Sequence, residues 1–238
     1  MSNSLAIIIP AYNEEDSISK VVHSSLSVSS KNNLQSTIIV VNDCSTDKTG
    51  EIIEKLPCVA LHLPVNAGIG GAMQTGFKYA FENNFDFAVQ VDGDGQHPAE
   101  EIPKLFLAMQ EKNIDIAIGS RFISKEGFQS SAMRRTGIEW FRWMNKFLVG
   151  VDIKDSTSGF RMLNRKALAI VNEIYPDEYP EPETIILFAK NKLKIGEVAI
   201  AMKERQGGKS SIGFFSGIYY MWKVTLGILF TFIKTKHT

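Results

Sequence analysis

Short β-branched runs alternate with amphipathic stretches through the first half of the chain. The strand-like runs are Leu5–Ile9, Thr37–Asn42, Val59–Leu63, Phe85–Val91 and Ile114–Ile118. Between them, Glu14–Leu26 carries Ile18, Val21, Val22 and Leu26 at helical spacing, with Asn13 placed as its N-cap. Asp47–Leu56, Gly70–Glu82 and Pro98–Glu111 have the same character, the last opened by a proline whose missing N–H costs nothing in a first turn. Strands alternating with helices of this length predict βαβ units. The expected fold is therefore α/β, with a mostly parallel sheet covered on both faces.

The rhythm changes after about Ser120. Arg134–Leu148, Asn164–Ile174 and Glu183–Asn191 are expected helices, Ser158–Arg161 a turn or short strand, and Ile195–Met202 a strand. Tyr175–Pro182 is rich in Pro and acids and is expected to be irregular, and Gln206–Ser211 to be a flexible loop. With no internal repeat and no low-complexity linker, the chain divides into one domain over residues 1–211 and an extension over 212–238. Ile212–Ile233 is nearly all apolar or aromatic and would just span a bilayer, but Lys223 stands near its middle, where a charge is costly. A buried core helix, a transmembrane span and a helix lying in the membrane interface are all open. Trp222, the Tyr219–Tyr220 pair and the neighbouring cations favour the last.

Composition narrows the function classes. The 238 residues are 44% hydrophobic and 22% charged, which excludes disorder, collagen-like repeats and coiled coil. The 26 basic and 26 acidic residues cancel, so no nucleic-acid partner is expected. The charge is unevenly spread, however. Residues 203–238 hold six basic residues and one acid, a net +5 set against −5 in the rest. A basic, apolar tail on an acidic body fits an anionic lipid surface. Cys44 and Cys58 form no C-x-x-C pair and are expected to be reduced thiols. Leu5–Ile9 stops at Pro10, too short for a signal peptide. The expected location is cytoplasmic, peripheral on the inner face of the membrane.

Candidate chemistry gathers where strands end. Val91-Asp92-Gly93-Asp94-Gly95-Gln96-His97-Pro98 puts two carboxylates one residue apart after a buried strand. With the Gln96 amide oxygen, Asp92 and Asp94 make an all-oxygen set suited to Mg²⁺ or Mn²⁺, ligand phosphates completing the sphere. A plain Asp/Gly surface turn is the alternative. His97 before Pro98 is expected to pack the turn rather than ligate. Pro10-Ala11-Tyr12-Asn13-Glu14-Glu15 follows the first strand, and Asn42-Asp43-Cys44-Ser45-Thr46-Asp47 the second. Singly, Asn13 and Asp47 look like helix caps. In an open α/β sheet, though, ligands bind beyond the carboxyl ends of the strands, and three polar clusters share that edge. Asn66-Ala67-Gly68-Ile69-Gly70-Gly71-Ala72 is a Gly-rich turn opening a helix, a natural phosphate cradle that lacks a Walker lysine.

These motifs together resemble family 2 glycosyltransferases, which have the nucleotide-sugar-binding, Rossmann-like A-type fold with a mixed, mostly parallel sheet. Gly119-Ser120-Arg121-Phe122, Met133-Arg134-Arg135, Asp155-Ser156-Thr157-Ser158-Gly159-Phe160-Arg161 and Glu204-Arg205-Gln206-Gly207-Gly208-Lys209-Ser210 extend the resemblance to the dolichyl-phosphate mannose synthase branch, with its bacterial polyprenyl-phosphate hexose synthases. The resemblance covers roughly residues 5–211. It implies that Pro10, Tyr12 and Glu14 flank the base and ribose, and that Asp43 hydrogen-bonds the base. It places Asn66 and Gly70 in the nucleotide site, Asp92 near ribose and metal, and Asp94 and Gln96 on the metal. Arg121, Arg134, Arg205 and Lys209 would bind acceptor phosphate or diphosphate, with Arg135 an alternative to Arg134. Ser158 would shape the acceptor pocket. Asp92, Asp94 and Arg205 would carry the chemistry.

The acceptor decides what else is needed. A phosphate monoester, with a second pKa of roughly 6, is already a nucleophile at neutral pH. A sugar hydroxyl needs a base, and Glu183 is the candidate. The expected activity is inverting transfer of a hexose or N-acetylhexosamine from a nucleoside diphosphate sugar, UDP before GDP, to a polyprenyl phosphate. Transfer to a sugar hydroxyl of a lipid-linked glycan is the alternative. A non-catalytic, membrane-docked scaffold is a third reading, against which Asp92, Asp94, Gln96 and Arg205 speak.

Overall fold

The computed structural model describes residues 3–124, 132–176, 179–202 and 214–235. In the first half, β1 (Leu5–Ala11), β2 (Ser36–Asn42), β3 (Val59–His62) and β4 (Phe87–Gln90) are joined by α1 (Ile18–Lys31), α2 (Thr49–Ile53) and α3 (Gly68–Glu82). A 3-10 turn at Ala99–Glu101 runs into α4 (Ile102–Lys112), followed by β5 (Ile116–Ser120) and α5 (Arg121–Ser124). Then come α6 (Ala132–Val149), β6 (Arg161–Asn164), α7 (Arg165–Glu173), α8 (Pro180–Lys190), β7 (Ile195–Ala199) and α9 (Phe214–Lys234).

The described strands form one seven-stranded sheet in the order β3-β2-β1-β4-β6-β5-β7. Strand β6 runs antiparallel to β4 and β5, with Ala88 opposite Leu163 and Ala117 opposite Met162, and the other pairs are parallel. Strand β1 is buried at every position. Alternate side chains leave a strand on opposite faces, so a strand covered twice must be apolar throughout. Ile7 and Ile9 enter the core under α1 and α4, while Ala6 and Ile8 enter the core under α3 and α7.

Two expectations change, and one open choice is resolved. Ser158–Arg161, expected as a turn or short strand, leads into strand β6, whose four residues are too few to show a period. Helix α8 starts at Pro180, inside the stretch expected to be irregular, and has Pro182 in its first turn, where the lost N–H needs no partner. Asn13 does not cap α1; that helix begins at Ile18 after Ser17, and Asn13 takes a left-handed φ of 55°.

Helix α9 settles on α6 and α8. Val224 and Ile228 are fully buried with Phe141, Met144 and Ile186. A Cβ on Gly227 would collide with the Glu183 carboxylate, so the glycine lets the two helices approach closely. The Thr231 hydroxyl donates to Glu183 Oε2 at 3.0 Å. The buried Lys190 ammonium donates to the Phe232 carbonyl in the last turn of α9, where a cation also meets the negative end of the helix dipole. The other side of α9 exposes Trp222, Phe230 and Ile233. Among the described residues no helix is long and apolar enough to cross a membrane. The apolar segment thus combines core packing on one side with open surface on the other.

This division is testable by denaturation. Ile228→Ala should cost about 2–5 kcal/mol in urea, as buried Ile truncations do. Trp222→Ala, on the exposed side, should stay within about 0.5 kcal/mol. Equal losses would mean the two sides are packed alike.

Candidate functional site

Strands β1 to β4 run parallel, so their C-terminal ends open on one edge. The loops after β1 and β2 are stitched together there. Asn13 Oδ1 accepts from Thr46 N–H at 2.8 Å and Asp47 N–H at 3.4 Å, and Asn13 N–H donates to Ser45 Oγ at 3.0 Å. Glu14 N–H donates to Thr49 Oγ1 at 2.8 Å, Glu15 N–H to Asp47 Oδ2 at 3.2 Å, and Lys48 N–H to Glu15 Oε2 at 3.0 Å. Asn13 is therefore a bridge between loops. Asp47 does serve the start of α2, accepting Thr49 N–H at 2.9 Å. Partial burial opposes ionisation of Asp47, but bonds from the Thr49 hydroxyl and N–H and from Glu15 N–H hold it below the ordinary carboxylate range. Its contribution to stability is then full above the ordinary pKa of about 3.9 and is lost as pH falls through the lower folded value.

The stitched loops leave Tyr12 half-exposed beside a buried Asp43. Asp43 Oδ1 accepts Ala67 N–H at 2.7 Å, which ties the β3–α3 loop to β2. Asn66 Oδ1 accepts Gly68 N–H at 3.2 Å at the start of α3, two residues before the expected start at Gly70. Gly70 itself is buried inside α3. Gly68 has φ +74° and open space around it, a backbone suited to close approach by a ligand.

The paired acids close against the first loop. A Cβ on Gly93 would lie 2.9 Å from the Pro10 carbonyl oxygen, so only glycine lets the two loops meet. Asp94 is buried and its Oδ1 accepts Gln96 N–H at 2.9 Å, while Asp92 keeps about a third of its side-chain surface (31%) open. His97 packs the turn as expected, its Nδ1 3.2 Å from Asp92 N–H and its ring 5.2 Å from that of Phe160. Among the described residues no three His, Cys, Asp or Glu side chains converge as a metal cage. Two carboxylates and an amide oxygen still fit a small hard cation, which ordinarily takes one or two protein carboxylates and completes its shell with phosphate and water.

Two residues expected at the acceptor are engaged within the protein. Arg121 was expected to seat a phosphate, yet its Nε and Nη2 each bind the Asp155 carboxylate at 2.7 Å, both side chains buried. Asp155 also accepts the Arg121 N–H at 3.1 Å. Arg121 thus joins the end of β5 to the 155–161 segment. Glu183 lies in the α8–α9 contact with Thr231 and Gly227. Arg135 sits over the Phe122 ring at 5.8 Å, with Arg121 over the same ring at 5.4 Å. Arg135 shares a cleft with Ile138, Glu139, Arg142 and Lys154. Arg134 belongs to α6, but its side chain lies outside the described set, as do Arg205 and Lys209. Ser158 is buried, and among the described residues the Ser120, Ser156 and Ser158 hydroxyls have no hydrogen-bond partner.

Sequence reasoning gave Arg161 no role. Its guanidinium is buried and donates to the carbonyls of Ser156 (2.8 Å), Ser158 (2.7 Å) and Glu181 (2.6 Å) and to Thr184 Oγ1 (2.8 Å). Burial lowers its pKa from the ordinary value. A charge at the start of a strand was the available signal, since charged residues are seldom buried without partners.

Comparison with known proteins places this geometry. The family described as Glycosyl transferase family 2 matches residues 6–170. A UDP-N-acetylglucosamine–dolichyl-phosphate N-acetylglucosaminyltransferase of Methanococcus voltae is 33% identical over 82% of this chain and 83% of its own length. The polyprenol monophosphomannose synthase of Mycolicibacterium smegmatis is 29% identical over 87% of this chain and 80% of its own. The Mycobacterium tuberculosis glucosyl-3-phosphoglycerate synthase, solved with Mn²⁺, UDP-glucose and phosphoglyceric acid, superposes with a TM-score of 0.73 over 98% of this chain and 81% of its own. At 18% identity that likeness speaks for the fold.

Removing the buried ion pair should show as lost stability. Arg121→Ala leaves Asp155 buried and unpaired, and should cost about 3–5 kcal/mol in chemical denaturation. A change confined to the KM of a phosphate acceptor, with stability unchanged, would return Arg121 to a binding role.

Proposed function

The chain belongs to glycosyl transferase family 2, and on that premise we propose that it moves a hexose or N-acetylhexosamine from a nucleoside diphosphate sugar to a polyprenyl phosphate. The observation that carries the acceptor is the engagement of Glu183. The candidate base for a hydroxyl acceptor is held by Thr231 in a helix contact. A phosphate monoester needs no base, because at neutral pH it is already largely ionised. The relatives named for transfer to dolichyl or polyprenyl phosphate, matching over most of both chains, point the same way.

In this reading the stitched loops seat the nucleoside, with Pro10, Tyr12 and Glu14 around base and ribose and Asp43 accepting from the base. UDP is the preferred nucleotide. Asn66 and the opening of α3 near Gly70 face the diphosphate, where helix N–H groups favour anions. Asp92, Asp94 and Gln96 would hold Mg²⁺ or Mn²⁺, which supplies positive charge to the departing diphosphate. Arg134 or Arg135, with Arg205 and Lys209, would hold the acceptor phosphate, since guanidinium forks match phosphate oxygens. The unpartnered hydroxyl of Ser158 suits the same pocket. An acceptor phosphate oxygen forms a bond to the anomeric carbon as the bond from that carbon to the diphosphate oxygen breaks. Attack from the face opposite the leaving group inverts the sugar.

The lipid acceptor asks for a membrane face, and α6 with α9 provides a candidate. Trp140, Trp143 and Phe147 are exposed and stack in sequence with centroids 5.3 and 5.5 Å apart. The Trp140 indole donates to Thr225 on α9 at 3.1 Å, joining this row to Trp222, Phe230 and Ile233. Such rings suit the headgroup level of a bilayer. The enzyme would then be peripheral on the cytosolic face.

The deciding assay pits a panel of UDP- and GDP-sugars, with Mn²⁺, against a polyprenyl phosphate and a sugar-bearing lipid diphosphate. Product on the bare phosphate is expected; product only on the glycosylated lipid would reverse the acceptor. Asp94→Ala should lower transfer by about 10²-fold or more while leaving the fold intact. Replacing Trp143 and Phe147 by Ser should weaken co-sedimentation with anionic vesicles about tenfold or more. Unchanged sedimentation would remove this face from the membrane.

A further inference from the structure

Gln90 lies buried at the end of β4, two residues before Asp92, and belongs to none of the donor or acceptor sets above. Its Nε2 donates to Asp92 Oδ1 at 3.1 Å. The same amide is confined from the other side. A Cβ on Gly159 would fall 2.6 Å from Gln90 Nε2 and 3.6 Å from Asp92 Oδ1. The next residue, Phe160, is fully buried against the His97 ring. His97 Nδ1 in turn lies 3.2 Å from Asp92 N–H and 3.4 Å from Asp92 Oδ2. Asp92 is therefore held twice, by Gln90 at the carboxylate and by His97 at the backbone. Each holder is backed by one of two consecutive residues of the 155–161 segment.

That segment cannot drift. Gly119 N–H donates to the Phe160 carbonyl at 2.8 Å, and Arg161 fixes the Ser156 and Ser158 carbonyls to the start of α8. Asp155 anchors its other end to Arg121. The Asp92 side chain is one-third open, so packing alone does not fix its rotamer. The Gln90 bond restrains it.

We propose that Gln90 is a positioning residue: its amide, wedged in place by Gly159, orients the Asp92 carboxylate toward the donor diphosphate and its divalent ion. The proposal rests on the donor site assigned to Asp92 above. It also gives the Ser-Gly-Phe-Arg segment a task on the donor side as well as at the acceptor. Displacing the amide displaces the carboxylate, and misplacements near 1 Å at a reacting centre can cost about 10²-fold in rate.

The test is a double-mutant cycle of Gln90→Ala and Gly159→Ala, with Asp92→Ala as reference. Each protein is titrated calorimetrically with UDP in the presence of Mn²⁺, and kcat and both KM values are measured. Thermal unfolding checks that each variant folds; Gln90→Ser, equally short, replaces Gln90→Ala if that variant does not. Gly159→Ala should weaken UDP·Mn²⁺ binding about tenfold in the native background, and the same change after Gln90→Ala should cost little more, because the shortened side chain leaves room for the new Cβ. The KM for polyprenyl phosphate should hold. Equal losses in both backgrounds, or a Gln90→Ala protein that binds UDP·Mn²⁺ and turns over normally, would overturn the proposal while the donor site stands. If Asp92→Ala itself binds normally, the donor-site assignment fails and the proposal with it.

Discussion

A buried guanidinium organises the second half of this protein. Arg161 enters the sheet as the first residue of β6, where it is shut away from water. Its N–H groups must find acceptors or lose several kcal/mol of hydration, so the backbone carbonyls of the preceding segment and the first turn of α8 are drawn around it. One side chain thereby fixes three things: the path of residues 155–161, the start of α8, and the seat on which α9 rests. Because β6 is antiparallel, its beginning lies at the sheet edge where β1, β2 and β4 end. The same guanidinium that satisfies a folding requirement therefore borders the site.

The two halves of the site are built by different means. On the nucleotide side, loops after parallel strands are joined by side chain to backbone bonds, with Asn13, Asp43 and Asp47 as the acceptors. Asn13 and Asp47 sit near the surface and gain modestly from each bond, while Asp43 is buried. On the acceptor side the joints are charges taken out of water: Arg121 with Asp155, Arg161 with carbonyls, Lys190 with Phe232. Such joints tolerate little change, because removing one partner leaves the other buried and unsatisfied.

That contrast also explains what was legible in the sequence. The first-half order of strands and helices was readable because β1, β2 and β4 centre on apolar runs while α1 keeps Ile18, Val21 and Val22 on one face. Asp92, Asp94, Tyr12 and Asp43 were readable as a group because parallel strands deliver their ends to one edge. Local rules misled where the partner is remote. Asn13 has the composition of a cap, but its acceptor oxygen faces Thr46, on another loop. The contact of the Glu183 carboxylate with Thr231, 48 residues away, was likewise outside the reach of local rules. Gln90 and Arg161 were given no role of their own, although Arg161 closes the Asp155–Arg161 motif; their burial is seen only in the fold. Pro180 and Pro182 hid the start of α8 because the same residue type ends a helix and begins one.

The stitching of the β1 and β2 loops has a thermodynamic consequence. Asn13, Glu14, Glu15, Ser45 and Thr49 are already fixed by one another. Ordering a flexible side chain at a binding site ordinarily costs about 0.5–1.5 kcal/mol in lost freedom. Here that loss is incurred when the chain folds, long before a nucleotide arrives. The entropy lost when its contacts form is then smaller, and these polar loops can hold a highly hydrated ligand that they would otherwise bind poorly.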